Sequence, residues 1–123
     1  MSVDILIVDD SPAVRKILQR VLVQAEVPLG NVYEANDGHE ALARLKTEHI
    51  GLVLLDVKMP NMGGLELLQK IRCETAWNCI PVIMITAEGS QNTVMQALEL
   101  GADGYLRKPF TADKIKEKLI GLI

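Results

Sequence analysis

Five side chains have the types that phosphoryl chemistry requires, and each stands at the end of a short apolar run. Asp9 and Asp10 follow one run and Asp56 follows another, while Thr86 and Lys108 close two more. A carboxylate can attack phosphorus to give an acyl phosphate, and a metal ion and an ammonium group can neutralise charge on the transferred oxygens. The set therefore suits phosphoryl transfer to an aspartate, provided that the fold brings these ends together.

Asp56 is the best candidate for the attacking carboxylate, because Asp9 and Asp10 are adjacent on one strand and better placed to hold metal. Three unpaired carboxylates in one place repel one another, and a hard cation removes that repulsion. Mg²⁺ prefers oxygen ligands in octahedral geometry. We expect Asp10 and Asp56 to bind it directly, Asp9 to act directly or through water, and the backbone carbonyl of Lys58 to add an oxygen. Mn²⁺ can take its place.

Thr86 and Lys108 are candidates for this scheme only because they stand at strand ends that the predicted fold places beside the acids. A threonine at a strand end is usually structural, and a lysine is usually a solvated surface charge. Beside three acids, however, Thr86 becomes a candidate donor to a phosphoryl oxygen, and Lys108 can pair with a carboxylate or with the phosphoryl group. Pro109 permits a cis peptide bond that would aim Lys108 inward.

Short apolar runs that alternate with helical patterns predict the elements that must position these residues. The runs cover residues 4–8, 31–35, 52–55, 81–85 and 104–106. The first, third and fourth are continuously apolar, as strands buried on both faces are, and the other two are polar enough for sheet edges. Five βα units predict an α/β fold with a parallel sheet of flavodoxin-like order 2-1-3-4-5 and five helices. Strands 1 and 3 are then neighbours.

The helices between the runs have recognisable starts and apolar stripes. Their starts are marked by Ser11 with Pro12, by Asp37 with Glu40 as a capping box, by Gly64, by Ser90 and by Thr111. The first helix presents the fullest stripe, made of Val14, Ile17, Leu18, Val21, Leu22 and Ala25. In the fourth helix Val94 and Met95 are adjacent, so at most one of them can face the core.

Composition narrows the class of protein. The 123 residues are 49% hydrophobic and 24% charged, which predicts one packed domain over residues 1–123. The net charge of −3 has both signs interspersed, so direct nucleic-acid contact is not expected. No apolar run approaches the roughly 20 residues that span a bilayer, and the first residues are not expected to act as a signal peptide. Cys73 and Cys79 are expected as reduced thiols in a cytoplasmic protein.

Four segments carry a family resemblance that covers nearly the whole chain: IVDDSPAVRKIL, LLDVKMPNMGGLELL, IMITAEG and GADGYLRKPF. They resemble the receiver domains of bacterial response regulators, and the chemotaxis regulators of the CheY type are especially similar. The resemblance implies that Asp56 takes a phosphoryl group from a phosphohistidine of a sensor histidine kinase or phosphotransfer domain. It also implies that Asp9 and Asp10 bind Mg²⁺ and that Lys108 contacts the phosphoryl group.

The resemblance further implies a switch rather than an enzyme with external substrates, because the domain catalyses only its own phosphorylation and dephosphorylation. In the family, the residue matching Thr86 moves toward the phosphoryl group, and the aromatic matching Tyr105 turns from exposed to buried. The surface formed by the fourth helix, the fifth strand and the fifth helix then changes its affinity for an output protein or output domain.

Two departures from the family pattern lie beside the expected site. Gly63 stands where the family most often has aspartate, and we expect little effect on the chemistry. Lys58 occupies a variable position, and an ion pair with Glu88 could shield an acyl phosphate from water. On that hypothesis Lys58→Ala changes the autodephosphorylation rate.

Other readings of the sequence are a flavin- or nucleotide-binding module, an aspartyl phosphatase for small substrates, a degenerate receiver used as a scaffold, and a receiver cut from a longer regulator. The first needs a phosphate-binding loop after the first strand, where this chain has Asp9, Asp10 and Pro12. The second favours an acid two residues after Asp56, where Lys58 stands instead. The intact acids, Thr86 and Lys108 argue against the third.

Overall fold

The apolar runs form one parallel sheet in the computed structural model, which describes residues 2–59, 61–87 and 91–122. The strands are β1 (Val3–Val8), β2 (Leu29–Ala35), β3 (Leu52–Leu55), β4 (Val82–Thr86) and β5 (Gly104–Arg107). Their order is β2-β1-β3-β4-β5, as predicted. The predicted strand limits differ from the observed ones by at most two residues, and the two more polar strands are the edges.

Five helices connect the strands: α1 (Pro12–Gln24), α2 (Gly38–Thr47), α3 (Gly64–Cys73), α4 (Gln91–Glu99) and α5 (Ala112–Leu119). Three of the predicted caps are confirmed, because Ser11, Asp37 and Thr111 each accept a hydrogen bond from the backbone N–H three residues on. The carboxylate of Glu40 accepts from the N–H of Asn36, one residue before the position that a capping box uses. The predicted start at Ser90 lies outside the described residues.

Side chains alternate between the two faces of the sheet and build two aliphatic clusters. On β1, Ile5 and Ile7 face α1 and α5, whereas Leu6 and Val8 face α2, α3 and α4. Helix residues complete each cluster, Leu18 and Ile115 on the first side and Leu68 and Ala97 on the second. Because both faces are covered, the carboxyl edge of the central strands is where polar groups can gather.

The predicted stripe of α1 is correct except at Ile17, which is 51% exposed. One residue turns a helix by about 100°, so Ile17 lies beyond the edge of the stripe that buries Leu18 and Leu22. It borders a small apolar groove with Pro109 and Phe110 instead. Arg15 is the unexpected buried residue of this helix.

Helix α4 packs on the sheet mainly through Ala97, which is fully buried. Val94 is half-buried and Met95 is 51% exposed, so neither faces the core squarely, which agrees with the expectation for this pair. Tyr105 on β5 is half-buried against the same cluster. An apolar side chain of α4 is therefore presented to solvent beside the edge strand.

Two further expectations concern cysteines and membranes. Cys73 and Cys79 are exposed and are not bonded to each other, and their reduced state stays a prediction. Within residues 2–59, 61–87 and 91–122, none of the helices is both long and apolar enough to cross a bilayer.

Candidate functional site

The three predicted acids meet at the carboxyl edge of the sheet. Asp9 and Asp10 follow β1 and Asp56 follows β3, and the pairing of Val8 with Leu55 sets the two strand ends level. One carboxylate oxygen from each acid lies within 4.8 Å of the others. The sequence-based prediction that these acids share one pocket is therefore confirmed.

Lys108 supplies the positive charge of this cluster. Its Nζ lies 2.9 Å from Oδ2 of Asp9 and 3.7 Å from Oδ1 of Asp56. Asp9 and Asp56 are buried, with 2% and 7% of their surface exposed, whereas Asp10 is exposed. The peptide bond between Lys108 and Pro109 is cis, as the sequence allowed. The lysine thus enters the site from the β5–α5 connection and pairs with both buried acids.

The electrostatic environment of Asp56 disfavours its charged form. Burial raises its pKa above the ordinary value of 3.8, and the negative charge of Asp9 raises that pKa further. The charge of Lys108 and hydrogen bonds from the Thr86 hydroxyl and the Val57 N–H act in the opposite direction without cancelling the increase. A further cation beside Asp56 would therefore be favourable.

Both carboxylate oxygens of Asp9 accept hydrogen bonds from the protein. Its Oδ1 accepts from the N–H of Ser11 at 2.9 Å and its Oδ2 accepts from Lys108. Its own N–H donates to the carbonyl of Ala35 at 3.1 Å. Since both carboxylate oxygens of Asp9 already have donors at 2.9 Å, Asp9 is suited to act through water, and the exposed Asp10 is the better placed direct ligand on this strand end.

The remaining expected residues surround this cluster. Thr86 is the last residue of β4 and is 2% exposed, and its hydroxyl is hydrogen-bonded to Asp56. Lys58 is exposed in the β3–α3 loop, two residues after Asp56. Glu88 lies outside the described residues, so its proposed ion pair with Lys58 stays a prediction.

The same loop is kept close to the site by a glycine. The N–H of Gly64 donates to the carbonyl of Val57 at 2.9 Å, and a Cβ at Gly64 would overlap the carbonyl oxygen of Asp56. The first turn of α3 can therefore approach the acid only because this residue has no side chain.

Sequence reasoning missed a second group of polar residues behind the acids. Arg15 donates to the carbonyl of Asp9 at 2.6 Å and to Oδ1 of Asn36 at 2.7 Å, and its Nε donates to Glu34 at 2.8 Å. No motif or fixed spacing connects these residues in the sequence. They meet only because β2 lies beside β1.

Comparison with known proteins identifies the family. Residues 5–120 match the response regulator receiver domain family. The chain belongs to the response regulator receiver domains. The match excludes the flavin-binding and phosphatase readings of the sequence, and it makes this receiver domain a signalling switch rather than a classical enzyme.

The receiver domain resembles chemotaxis proteins of two bacteria at the sequence level. It is 42% identical over 115 residues to the chemotaxis protein CheY-3 of Vibrio cholerae. The matched region covers 94% of this chain and 87% of that protein. It is 42% identical over 118 residues to a chemotaxis protein CheY homologue of Campylobacter jejuni. The chain covers 87% of the Vibrio protein and 88% of the Campylobacter protein.

Solved structures of similar proteins agree with the fold of the receiver domain. The chemotaxis protein CheY4 of Vibrio cholerae superposes with a TM-score of 0.87 at 30% identity over the whole of both chains. A CheY of Borrelia burgdorferi, crystallised in a complex with CheX, BeF₃ and Mg²⁺, gives a TM-score of 0.88 at 30% identity over 98% of this chain and 88% of that one. The fold is therefore that of CheY-like receivers.

Proposed function

We propose that this receiver domain accepts a phosphoryl group on Asp56 in a Mg²⁺-dependent reaction. The donor is a phosphohistidine on a sensor histidine kinase or a phosphotransfer domain, and the whole of residues 1–123 forms the receiver. The observation that carries the proposal is the convergence of one oxygen from each of three acids within 4.8 Å, with the ammonium group of Lys108 beside Asp9 and Asp56.

Asp56, Lys108 and Thr86 have different tasks in the transfer step. A carboxylate oxygen of Asp56 attacks phosphorus, the bond from phosphorus to the histidine nitrogen breaks, and its electron pair stays on the imidazole. Lys108, 3.7 Å from Asp56, is within reach of an oxygen of the transferred group. Thr86 already donates to Asp56 and can transfer that hydrogen bond to a phosphoryl oxygen.

The donor set fits Mg²⁺ because it consists of hard carboxylate oxygens, two buried and one exposed. Asp10 and Asp56 would bind the ion directly, Asp9 would act through water, and the carbonyl of Lys58 would supply a further oxygen. A bound Mg²⁺ supplies positive charge that stabilises the phosphoryl oxygens. Mn²⁺, which also prefers oxygen ligands, is expected to substitute.

The switching surface is formed by α4, β5 and α5, and its partner is an output protein or output domain. Met95 and Leu98 of α4 are about half exposed, which is the kind of apolar surface that a partner can cover. Thr86 and Tyr105 connect this surface to the site. The likeness to chemotaxis proteins supports a role in chemotaxis, and the cytoplasmic location expected from the sequence stays a prediction.

Labelling with a small phosphodonor tests the proposed function. With Mg²⁺ and acetyl phosphate, the purified chain should gain one acid-stable, base-labile phosphoryl group. Asp56→Asn should not acquire it, and chelation of Mg²⁺ should suppress it in the unaltered chain. Asp113→Asn, which alters an exposed acid on α5, serves as the matched control and should be labelled normally. Labelling of Asp56→Asn at the normal rate would refute the assignment.

A further inference from the structure

Arg15 is a buried cation that the proposed reaction does not use. Its side chain is only 11% exposed, although Lys16 and Ile17 beside it on α1 are exposed. One guanidinium nitrogen donates both to the carbonyl of Asp9 and to the side chain of Asn36, and Nε donates to Glu34. A single side chain therefore joins the end of β1, the end of β2 and the β2–α2 loop.

The bond to Asp9 determines how the next residue leaves the strand. The carbonyl of Asp9 belongs to the peptide plane that connects Asp9 to Asp10, so fixing this oxygen fixes the plane from which the Asp10 side chain departs. The N–H of Asp9 is held by Ala35 on the other side. Asp10 is exposed, and burial therefore does not direct its carboxylate. The orientation of the peptide plane instead sets the point from which its side chain leaves the backbone.

The same network reaches the second loop that carries an expected ligand. Asn36 accepts from Arg15, and the neighbouring Asp37 accepts from the side-chain amide of Asn61 at 3.2 Å. Asn61 lies in the β3–α3 loop with Lys58 and adopts a left-handed backbone conformation, with φ of 67°. The β2–α2 loop is thus tied on one side to the Asp9 carbonyl and on the other side to the loop that follows Asp56.

We propose that Arg15 is a positioning residue for the cation site, acting through the Asp9 carbonyl and through Asn36 to hold the two ligand-bearing loops at a fixed separation. The inference rests on the proposed Mg²⁺ site. A site whose loops are already ordered loses less conformational freedom when the ion binds, so its affinity is higher. Arg15 touches neither the ion nor the phosphoryl group.

The direction in which Arg15 substitutions change the Mg²⁺ affinity distinguishes a positioning role of Arg15 from a purely electrostatic one. Replacing Arg15 by Met removes a positive charge near a cation site, and Coulomb's law alone predicts tighter Mg²⁺ binding as a result. Loss of positioning predicts weaker binding. Arg15→Lys keeps the charge but cannot reproduce the forked contacts of the guanidinium, so it should also weaken binding.

The experiment is a calorimetric titration of the purified chain and of its variants with Mg²⁺. Arg15→Met and Arg15→Lys should each bind Mg²⁺ about tenfold more weakly than the unaltered chain, the usual consequence of losing a group that orients a metal ligand. The unfolding free energy of each metal-free variant is measured alongside, to show how much of the loss is general destabilisation.

Arg72 provides a matched control at the opposite edge of the sheet. Its side chain is 18% exposed, and it donates to the carbonyls of Ile80 at 2.7 Å and Gly101 at 2.9 Å and to Asp103 at 2.9 Å. Arg72→Met should lower the stability of the domain while leaving the Mg²⁺ affinity unchanged. If Arg72→Met weakened Mg²⁺ binding as much as Arg15→Met, the specific role of Arg15 would be refuted.

Asn36→Ala keeps the test decisive if the Arg15 variants do not fold, because Asn36 is an exposed loop residue. It should weaken Mg²⁺ binding in the same direction but by less, since the bond from Arg15 to the Asp9 carbonyl remains. If the Arg15 variants fold and bind Mg²⁺ as tightly as the unaltered chain or more tightly, the inference is refuted. If they do not fold, unchanged Mg²⁺ binding by Asn36→Ala refutes it. Neither result refutes the proposed Mg²⁺ site. Failure of the unaltered chain to bind Mg²⁺ would overturn both the inference and the proposed site.

Discussion

Lys108 and the two buried acids form an arrangement with one positive and two negative charges. The Nζ of Lys108 is 2.9 Å from Asp9 but 3.7 Å from Asp56, so the lysine neutralises Asp9 more fully than Asp56. Among the described residues, every buried side-chain nitrogen and oxygen has a hydrogen-bond partner. The remaining imbalance is therefore one of charge, and it falls on Asp56, whose pKa is raised. That imbalance attracts a divalent cation and also costs the metal-free protein some stability.

Asp56→Asn tests this cost. Because the folded state raises the pKa of Asp56, protonation favours folding, and the contribution of Asp56 to stability falls as the pH rises above 3.8 and through the raised value. At neutral pH and without divalent cations, Asp56→Asn should increase the unfolding free energy, because the substitution removes a charge that the folded state disfavours.

The comparison requires urea unfolding curves at neutral pH and at a pH below 3.8, followed through the fluorescence of Trp77, the single tryptophan. The gain should disappear at the lower pH, where Asp56 is protonated and uncharged. A gain of the same size at both pH values would show that charge is not its cause.

At the scale of the elements, the first turn of α3 shows why two adjacent glycines differ. Gly63 is the N-cap of α3 and makes no side-chain cap, while its φ of −73° suits any residue. A Cβ there would meet only the carbonyl of Val57, at 3.4 Å, whereas a Cβ at Gly64 would overlap the carbonyl of Asp56. The glycine that departs from the family pattern is replaceable, and its neighbour is not.

Gly63→Asp should therefore stabilise the domain by about 0.5 kcal/mol, through a capping bond to the N-terminal N–H groups of α3 and a favourable interaction with the helix dipole. Gly64→Ala should destabilise it by about 2 kcal/mol, because the loop must move away from Asp56. Denaturant unfolding of both variants in chelator measures the two changes. Similar effects of the same sign would contradict the packing described for this turn.

The elements themselves could be predicted because each depends on local pattern. Short runs rich in apolar residues located the strands to within two residues, and capping residues located the starts of α1, α2 and α5. Ile17 was misassigned because a stripe read from sequence has no sharp edge, and the width that the sheet covers depends on how α1 packs. Arg15 was missed for a related reason, because its acceptors come from the end of β1, from β2 and from the β2–α2 loop.

At the scale of the whole molecule, the candidate site could be predicted only in part. Strand order alone brings Asp9, Asp10 and Asp56 together, so these acids followed from the alternation of runs and helices. The network behind them depends on the conformation of the β2–α2 loop, which no periodicity encodes. Contacts between side chains on separate loops become visible only when the chain is folded.

Mg²⁺ binding should stabilise the whole domain through linkage. At a concentration about 100 times its dissociation constant, the ion adds about 2.7 kcal/mol to the unfolding free energy. Asp10→Asn should abolish most of this increment. Because Asp10 is exposed, the substitution should change the metal-free stability by no more than about 0.5 kcal/mol. Asp113→Asn is again the control and should retain the full increment, and retention of that increment by Asp10→Asn would exclude Asp10 as a ligand.

Mapping the modified residue in the unaltered chain tests the central claim most directly. The chain is incubated with Mg²⁺ and acetyl phosphate, any acyl phosphate is reduced with borohydride, and the peptides are sequenced by mass spectrometry. We predict that Asp56 is the single residue converted. Conversion of Asp9, Asp10 or any other acid, with Asp56 unmodified, would contradict the account.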